Sequence, residues 1–374
     1  MADNLLNNKN NNTIEDKFIA SLILYSLGDT IGFKNGIWAS KYNKKVVTLN
    51  VIHELLYEFI YLGGINGINL DGWTVSINTL GMMATAYSLL ESENYIEEMR
   101  KIYKGLIYYV GQEATKEKIF RGLTPYLYDT LVKLEEKDID QSKEPFDIHS
   151  IDNSCSIRTL PIGLAFHGEP NRSKLIDLSI NCGLITNNSP IGFLGGLTTA
   201  LFGALSIEKK NINEWPFILL DILKSESVSK YINDETEYHY DKFIQNWEKY
   251  IDLKFKGDEI IKIKSNTNIL YRSKFYYDNF TDDKTSFSIG HSGYSSVIMA
   301  YDCLVDCSGN WEKLIIYSAL HFGDTHSVAA ITGGLYGAYY GWGDVPNNNL
   351  KYLEFRETIY ELSKNLYKRY IAKS

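Results

Sequence analysis

Apolar residues recur along much of the chain at spacings of three and four positions. The repeat is present in residues 18–25, 80–90 and 355–370. Because an α-helix turns once every 3.6 residues, this spacing places the apolar side chains on one face of a helix. The sequence therefore predicts a largely helical protein, in which the first of these helices ends near Gly28 and Asp29.

Two longer apolar segments indicate helices that are buried on all sides. Residues 191–207 are rich in Gly, Ala and Thr, and residues 328–340 read VAAITGGLYGAYY. Small residues allow helix backbones to approach closely, so we expect both helices to pack tightly inside the core. The first segment has a marginal length for a membrane span and lacks the basic flank that orients one, so no membrane association is predicted.

Few segments indicate strands or domain boundaries. Residues 259–264 alternate between polar and apolar positions as a strand does, but they lie within a charged stretch rich in Asn and Lys. We interpret residues 254–283 as an irregular surface insertion. Residues 1–14 are polar and Asn-rich, which is typical of a disordered tail. The seven prolines are spread through the chain, so residues 15–374 are expected to form a single domain.

Composition narrows the class of protein. The 374 residues include 46 acidic and 38 basic side chains, a net charge of −8, which argues against nucleic-acid binding because that requires a basic surface. The four cysteines lack a C-x-x-C pair, and Cys303 and Cys307 have the spacing of one helix face. The N-terminal residues lack the apolar core of a signal peptide. These features predict reduced, buried thiols and an intracellular, cytoplasmic protein.

Five segments, in order along the chain, resemble signature segments of the ADP-ribosylglycohydrolase family. They are LGDTIGFKNGIW at 27–38, NSCSIRTLPIG at 153–163, TNNSPIGFLGGLTTA at 186–200, SGYSSVIMAYDCL at 292–304 and GDTHSVAAITGGLYGAYYG at 323–341. The first and fourth are most similar to the ADP-ribosylarginine hydrolase branch. The resemblance implies an all-α fold, a single orthogonal bundle of helices around a central cleft. It also implies ADP-ribose, or an ADP-ribosylated protein, as ligand and two magnesium ions as cofactors.

The sequence departs from the family at the positions that the resemblance assigns to magnesium. Where the family has Ser/Thr-Asp-Asp-Thr, residues 76–79 read Ser-Ile-Asn-Thr, and where it has Asp-x-Asp-Ser/Thr, residues 324–327 read Asp-Thr-His-Ser. Ile77, Asn78 and His326 thus replace three of four expected acids. Two dications about 4 Å apart repel by roughly 4 kcal/mol even in water, and one carboxylate cannot offset that. We expect the magnesium site to be lost or reduced to one weak site at Asp324, with the Ser76 and Ser327 hydroxyls.

The two acids that remain in the motifs are the candidate catalytic residues. Asp324 and Asp29 could each face the ligand. The alternatives are structural, with Asp324 capping the helix that begins near Ser327 and Asp29 holding the turn at the end of its helix. His326 could act as an acid, a base or a zinc ligand, although a hydrogen-bonded cleft histidine without chemistry is the simpler interpretation.

Five further residues are candidates for ligand binding. Phe33 and Tyr294 could line the adenine or ribose pocket by stacking, and Arg158 could contact a phosphate. Ser154 stands where the resemblance implies a glycine, and a helix N-terminus near Ser156 could still receive an anion. The alternatives are aromatic packing for the two rings and a structural ion pair for Arg158.

Three hypotheses for function remain open from the sequence. The first is a catalytically impaired pseudo-hydrolase that still binds ADP-ribose or an ADP-ribosylated protein. The second is an active glycosyl hydrolase of the ADP-ribosylarginine type with a reduced or altered metal site. The third is a structural or interaction protein without a ligand. The loss of the motif acids favours the first.

Overall fold

The computed structural model describes residues 13–40, 49–257, 259–260, 268–281 and 289–372, and helices dominate them. The helices are α1 (Ile14–Phe33), α2 (Ile37–Ser40), α3 (Leu49–Tyr61), α4 (Gly64–Gly67), α5 (Ile77–Glu91), α6 (Tyr95–Gln112), α7 (Pro125–Lys137), α8 (Leu160–Ala165), α9 (Arg172–Leu184), α10 (Pro190–Ile207), α11 (Trp215–Leu223), α12 (Glu226–Ser229), α13 (Glu237–Lys254), α14 (Ile269–Phe280), α15 (Gly293–Cys307), α16 (Trp311–Ala319), α17 (Thr325–Tyr340), α18 (Asn347–Lys351) and α19 (Arg356–Tyr370). Short 3-10 turns at Lys34–Gly36, Gln141–Lys143, Glu169–Asn171 and Ile212–Glu214 and a π turn at Glu113–Glu117 complete them. The predicted all-α class is confirmed. Of the predicted tail, residues 1–12 lie outside the described residues.

Helices α1 and α17 pack antiparallel along their lengths with their backbones in contact. A Cβ atom added at Gly28 would lie 2.2 Å from the carbonyl oxygen of Ala329, and one at Gly337 would lie 2.4 Å from that of Ala20. The predicted helix end near Gly28 and Asp29 was wrong, because Gly28 allows this close packing and the helix continues for five further residues to Phe33. The antiparallel packing brings the last turns of α1 beside the N-terminus of α17.

Helix α10 forms another part of the core. All of its residues from Pro190 to Ile207 are buried, and Ser189 caps its first turn. In the part of the chain that the structure describes, α10 is the one helix long and apolar enough to cross a membrane, and it lies entirely inside the protein. The prediction of a tightly packed core helix is confirmed.

The stretch from 254 to 283 is more regular than the predicted insertion. Strands β1 (Phe255–Lys256) and β2 (Glu259–Ile260) pair antiparallel, and α14 follows. Arg272, Tyr276 and Phe280 are buried at every fourth position of α14. Burial of one face explains why this polar segment is helical, since an amphipathic helix needs only one apolar stripe. Residues 261–267 and 282–288 lie outside the described residues.

The four cysteines are buried and free. Cys303 and Cys307 lie one turn apart in α15, as their spacing predicted. Burial raises the pKa of Cys155 and of Cys307 to about 12, so these thiols stay protonated and unreactive at neutral pH.

Candidate active site

The ends of three helices meet where the sequence motifs predicted a site. Asp29 lies one turn before the end of α1, Ser76 is the N-cap of α5, and Asp324 is the N-cap of α17. Helix N-termini present unpaired backbone N–H groups and a partial positive charge. Asp29 and Asp324 therefore lie beside backbone N–H groups that can donate hydrogen bonds to their carboxylates.

Asp29 is fully buried and its carboxylate is surrounded by donors from α5. The Ser76 backbone N–H and hydroxyl donate to it at 2.9 and 2.6 Å, and the Thr79 hydroxyl and N–H donate at 2.6 and 3.3 Å. Burial nevertheless raises the pKa of Asp29, although the charge of His326 and these hydrogen bonds oppose the rise. The carboxylate ties α1 to the start of α5, and both of its oxygens are occupied.

Asp324 accepts hydrogen bonds from two segments, and a histidine of a third segment lies nearby. The Ser327 N–H donates to Oδ1 at 3.1 Å, and the Asn153 side-chain amide donates to Oδ2 at 2.8 Å. The imidazole Nδ1 of His291 lies 4.0 Å from Oδ2. Asp324 thus performs the capping role that the sequence offered as an alternative, although α17 begins at Thr325 rather than near Ser327.

His326 lies beside Asp324, and its pKa responds to both acids. Its Nδ1 lies 3.0 Å from Asp324 Oδ1, so the protonated ring is attracted to that carboxylate. Burial lowers the pKa of His326, but Asp324 and then Asp29 raise it further, and the net pKa lies above its ordinary value. Burial would raise the pKa of Asp324, but the His326 charge outweighs it and holds that pKa well below its usual range.

The remaining motif positions carry no acid. The Asn78 amide donates to the Ser327 hydroxyl at 3.1 Å, which joins α5 to α17. Ile77 lines a small apolar cavity with Tyr103, Leu106 and neighbouring side chains. Among the described residues, no group of three His, Cys, Asp or Glu side chains is arranged to hold a metal ion.

Phe33 contacts both the His326 imidazole and the Phe120 ring. The Phe33 ring lies 5.5 Å from the imidazole and 6.1 Å from the Phe120 ring, centroid to centroid. Phe33 is fully buried, whereas Phe120 is 60% exposed. Phe33 is therefore placed at the site, and Phe120 was not identified from the sequence.

The predicted phosphate contacts lie in the interior beside the site. The Ser154 hydroxyl donates to Asp152 at 2.7 Å, and the Arg158 guanidinium donates to the carbonyls of Ser154 and Cys182, both at 2.7 Å. Ser156 is fully buried in a turn that precedes α8, and no helix begins at that residue. Arg158 accordingly holds the 154–183 backbone together, and no carboxylate pairs with it among the described residues.

Tyr294 is buried at the start of α15 and lines a groove of about 340 Å³ on the α13 and α14 side. The groove is polar, since its other lining residues include Lys242, Lys249 and Asn279. The structure thus places the predicted ligand residue Tyr294 in the wall of this groove.

Two further groups at the site were missed by the sequence reasoning. Asn153, which opens the second motif, links that motif to Asp324. Buried Arg121 donates to Glu113, to Glu354 and to the carbonyl of Val75, the residue before Ser76. Asn153 could have been found from its place in the motif. Arg121 offers no local signal, because two of its three partners, Val75 and Glu354, come from distant parts of the chain.

Comparisons with known proteins identify the family and the fold of the chain. A family model described as ADP-ribosylglycohydrolase matches residues 10–374. The chain is 29% identical to ADP-ribosylhydrolase ARH1 of Dictyostelium discoideum, over 92% of each protein. It is 34% identical to protein L444 of Acanthamoeba polyphaga mimivirus, whose name assigns it provisionally to the ADP-ribosyl glycohydrolases, over 85% of this chain but only 63% of that protein. A solved ADP-ribosylglycohydrolase-related protein complex has the same fold, with a TM-score of 0.57 at 15% identity over 96% of this chain and 99% of that one.

Proposed function

Because this chain belongs to the ADP-ribosylglycohydrolase family, we propose that it binds ADP-ribose or ADP-ribosylated protein without hydrolysing the bond. The proposal separates two properties that active members of the family combine. Ligand binding needs the cleft and its polar lining. Hydrolysis needs, in addition, the metal ions that the family resemblance implies.

The observation that carries the proposal is the state of the two remaining acids. Every oxygen of Asp29 and Asp324 already receives a donor or a charge from Ser76, Thr79, Ser327, Asn153 or His326. Magnesium requires several free oxygen ligands in near-octahedral order. The residues present therefore do not fit a pair of magnesium ions, and a protonated His326 beside Asp324 would repel a cation.

Magnesium, where it is bound, polarises the attacking water and orients the ribose hydroxyls. Here His326 supplies positive charge at a fixed place but offers no exchangeable water ligand. Its 13% exposed side chain still faces the same end of the site as Phe33. An imidazolium in this position can attract a ligand phosphate or hydroxyl, which supports binding, whereas a metal-bound nucleophile has no source.

The similarity to ADP-ribosylhydrolase ARH1 over 92% of both chains supports ADP-ribose as the ligand class. Calorimetric titration of ADP-ribose, with and without magnesium, tests the proposal. We expect binding whose Kd does not change when magnesium is added, together with no release of ADP-ribose from modified arginine. Magnesium-dependent binding and turnover would refute the loss of catalysis, and no binding at millimolar ADP-ribose would refute the retained ligand.

The competing hypothesis is an active hydrolase that acts through Asp324. It is supported by the depressed pKa of Asp324, which keeps that carboxylate ionised at neutral pH. If it is correct, the wild-type protein releases ADP-ribose from modified arginine, and Asp324→Asn removes that activity without preventing ligand binding. The same hydrolysis assay therefore decides between the two functions.

A further inference from the structure

Two lysine side chains lie together where α1 meets the C-terminal ends of α10 and α17. Lys209 follows α10 and is exposed, and its Nζ donates a hydrogen bond to the carbonyl of Tyr339 and lies 4.5 Å from the centre of that ring. The side chain of Lys17, in α1, lies within hydrogen-bonding reach of the Lys209 amine, and Lys17 is only 6% exposed. One exposed amine therefore lies against a second amine that is buried.

The packing of α1 against α17 fixes the position of Lys17. The Ser21 hydroxyl donates to the carbonyl of Gly334 at 2.9 Å. Lys17 precedes Ser21 by four residues, so both side chains lie on the face of α1 that packs against α17. Because the two helices run antiparallel, the turn of Lys17 lies beside the C-terminal end of α17, where the Tyr339 carbonyl accepts the hydrogen bond of Lys209.

The backbone holds Lys209 at this position. Its φ of 57° lies in the left-handed region, and the N–H groups of Lys209 and Lys210 donate to the carbonyls of Ser206 and Leu205. This pair of hydrogen bonds is the Schellman motif, in which glycine is the usual left-handed residue because it has no Cβ atom. Lysine thus occupies a position that its backbone disfavours, and its side chain reaches Tyr339 and Lys17.

The acids nearest in sequence are engaged elsewhere. Glu208 pairs with Arg172 at 2.9 Å, and the Asp16 side chain belongs to the capping box at the start of α1. Within the part of the chain that the structure describes, neither Lys17 nor Lys209 forms an ion pair with a carboxylate. The repulsion between the two amines is therefore not offset by an acid.

Two effects favour the neutral form of the Lys209 amine. Partial burial disfavours an ammonium ion, and Lys17 places a like charge beside it, so that the pKa of Lys209 falls to about 8. At pH 7.5 about one quarter of such an amine is neutral, against roughly 0.1% of an ordinary lysine. A lysine beside a second cation is a known form of activated nucleophile, because the neutral amine has the lone pair that attacks a carbonyl carbon.

We propose that Lys209 is a site of acylation by acyl thioesters, and that the neighbouring Lys17 makes it more reactive than exposed lysines such as Lys210. The Nζ lone pair attacks the thioester carbonyl, the C–N bond of an amide forms, and the C–S bond breaks. The leaving thiolate and the proton lost from the nitrogen together give a free thiol. Lys17 does not compete as the nucleophile, because its side chain is buried. This site does not depend on the binding of ADP-ribose.

Peptide mass spectrometry tests the proposal on the full-length protein, incubated with acetyl-coenzyme A at pH 7.5 without ADP-ribose or magnesium. Lys210 is the internal reference, because it is the exposed neighbour of Lys209. We expect Lys209 to be acetylated at least about ten-fold faster than Lys210. This ratio is below that of the neutral fractions because, as with thiols, an amine of lower pKa is a weaker nucleophile. A Lys209 rate no higher than that of Lys210 overturns the proposal.

Two variants at Lys17 test the role of the second amine. Lys17→Met removes the charge, so we expect the Lys209 rate at pH 7.5 to fall by about three- to ten-fold and the pH profile of its acetylation to move to higher pH. Lys17→Arg keeps the charge and should retain both the rate and the profile. Lys210→Met is the control and should leave the Lys209 rate unchanged.

Thermal melting shows whether each variant is folded. An unchanged Lys209 rate and pH profile in a folded Lys17→Met protein overturns the activation by Lys17. The pH profile of the wild type needs no variant. The Lys209 rate should level off above about pH 8, whereas the Lys210 rate should continue to rise to about pH 10. Parallel profiles for the two lysines overturn the proposal as well.

Discussion

The charge of His326 is the feature of the site whose removal has the most direct consequence. His326→Ala leaves the buried Asp29 and Asp324 without the imidazole that interacts with both. At the 3.0 Å separation of Nδ1 and Oδ1, the attraction between unit charges is about 5 to 6 kcal/mol at an effective dielectric constant of 20. Part of that attraction is offset by the cost of removing both groups from water.

The net loss of stability can be estimated from substitutions in other buried ion pairs. Removing one partner of a buried ion pair costs about 3 to 5 kcal/mol, because the other charge stays buried and unpaired. For 374 residues, an unfolding entropy of about 2.1 cal/mol/K per residue converts 1 kcal/mol to roughly 1.3 °C. We therefore expect His326→Ala to lower the melting temperature by about 4 to 6 °C.

Differential scanning calorimetry in magnesium-free buffer measures this change. His326→Gln retains polarity without charge and should lose an intermediate amount. His149→Ala is the control, because His149 is exposed and its loss should change the melting temperature by less than 1 °C, roughly the effect of a surface substitution. His326→Asp adds a third carboxylate and should be the least stable variant. A His326→Ala protein that melts with the wild type, and a His326→Asp protein no less stable, would refute charge compensation by His326.

Two further substitutions, the first with a matched control at Gly105, test the scaffold of the site. Gly28→Ala places a methyl group 2.2 Å from a backbone oxygen of α17, and we expect it to lower the free energy of unfolding by at least about 3 kcal/mol. Gly105→Ala is the control, because no atom lies within 4 Å of the added methyl group. It should raise the free energy of unfolding in urea by about 0.5 to 1 kcal/mol. Arg121→Leu removes the buried ion pairs with two glutamates and the hydrogen bond to the carbonyl of Val75. Urea unfolding should show a free energy of unfolding lower by about 3 to 5 kcal/mol. An unchanged unfolding midpoint would show that this network does not stabilise the fold.

Much of the fold could be predicted because its helices carry a simple apolar repeat. Helices α5 and α19 follow the three- and four-residue spacing, and α10 and α17 read as apolar on all sides. The end of α1 was not predictable from the local pattern. Glycine is unfavourable inside a helix, so Gly28 suggested a helix end, whereas in the structure it allows the close contact with α17. Helix α14 was also missed, since its buried stripe is built from an arginine and aromatic residues within a charged stretch.

The candidate site divides in the same way. The positions of Asp29, Ser76 and Asp324 follow from motifs, and the structure brings them together. Phe120 contacts Phe33, and Arg121 contacts Glu354. Because these partners are far apart in sequence, no local pattern predicts the contacts. The interior place of Arg158 likewise depends on which carbonyls the fold turns toward it.

The residues that replace the motif acids change the total charge at the four predicted metal positions. The resemblance implies four acids, a charge of −4, which two magnesium ions balance with +4. Here the three acids at 77, 78 and 326 are replaced by Ile, Asn and His, and Asp324 alone remains. The charges of Asp324 and His326 balance when the imidazole is protonated, and the neighbouring acids raise the pKa of His326. These four positions therefore carry much less negative charge than four acids would, and Asp29 is the further carboxyl group beside them.

From this charge change we expect that restoring a single acid lowers the stability of the protein, and that restoring all three acids allows magnesium to bind. The triple variant Ile77→Asp, Asn78→Asp, His326→Asp restores a charge of −4 at positions where Asn78 and Ser327 already touch. We expect it to be less stable than wild type in chelator, by more than His326→Asp alone, because buried carboxylates repel one another. Millimolar magnesium should then raise its melting temperature, as any ligand that binds only the folded state must do, and should leave the wild type unchanged. A wild type that magnesium stabilises as strongly as the triple variant would mean that the imidazolium does not stand in for the metal charge.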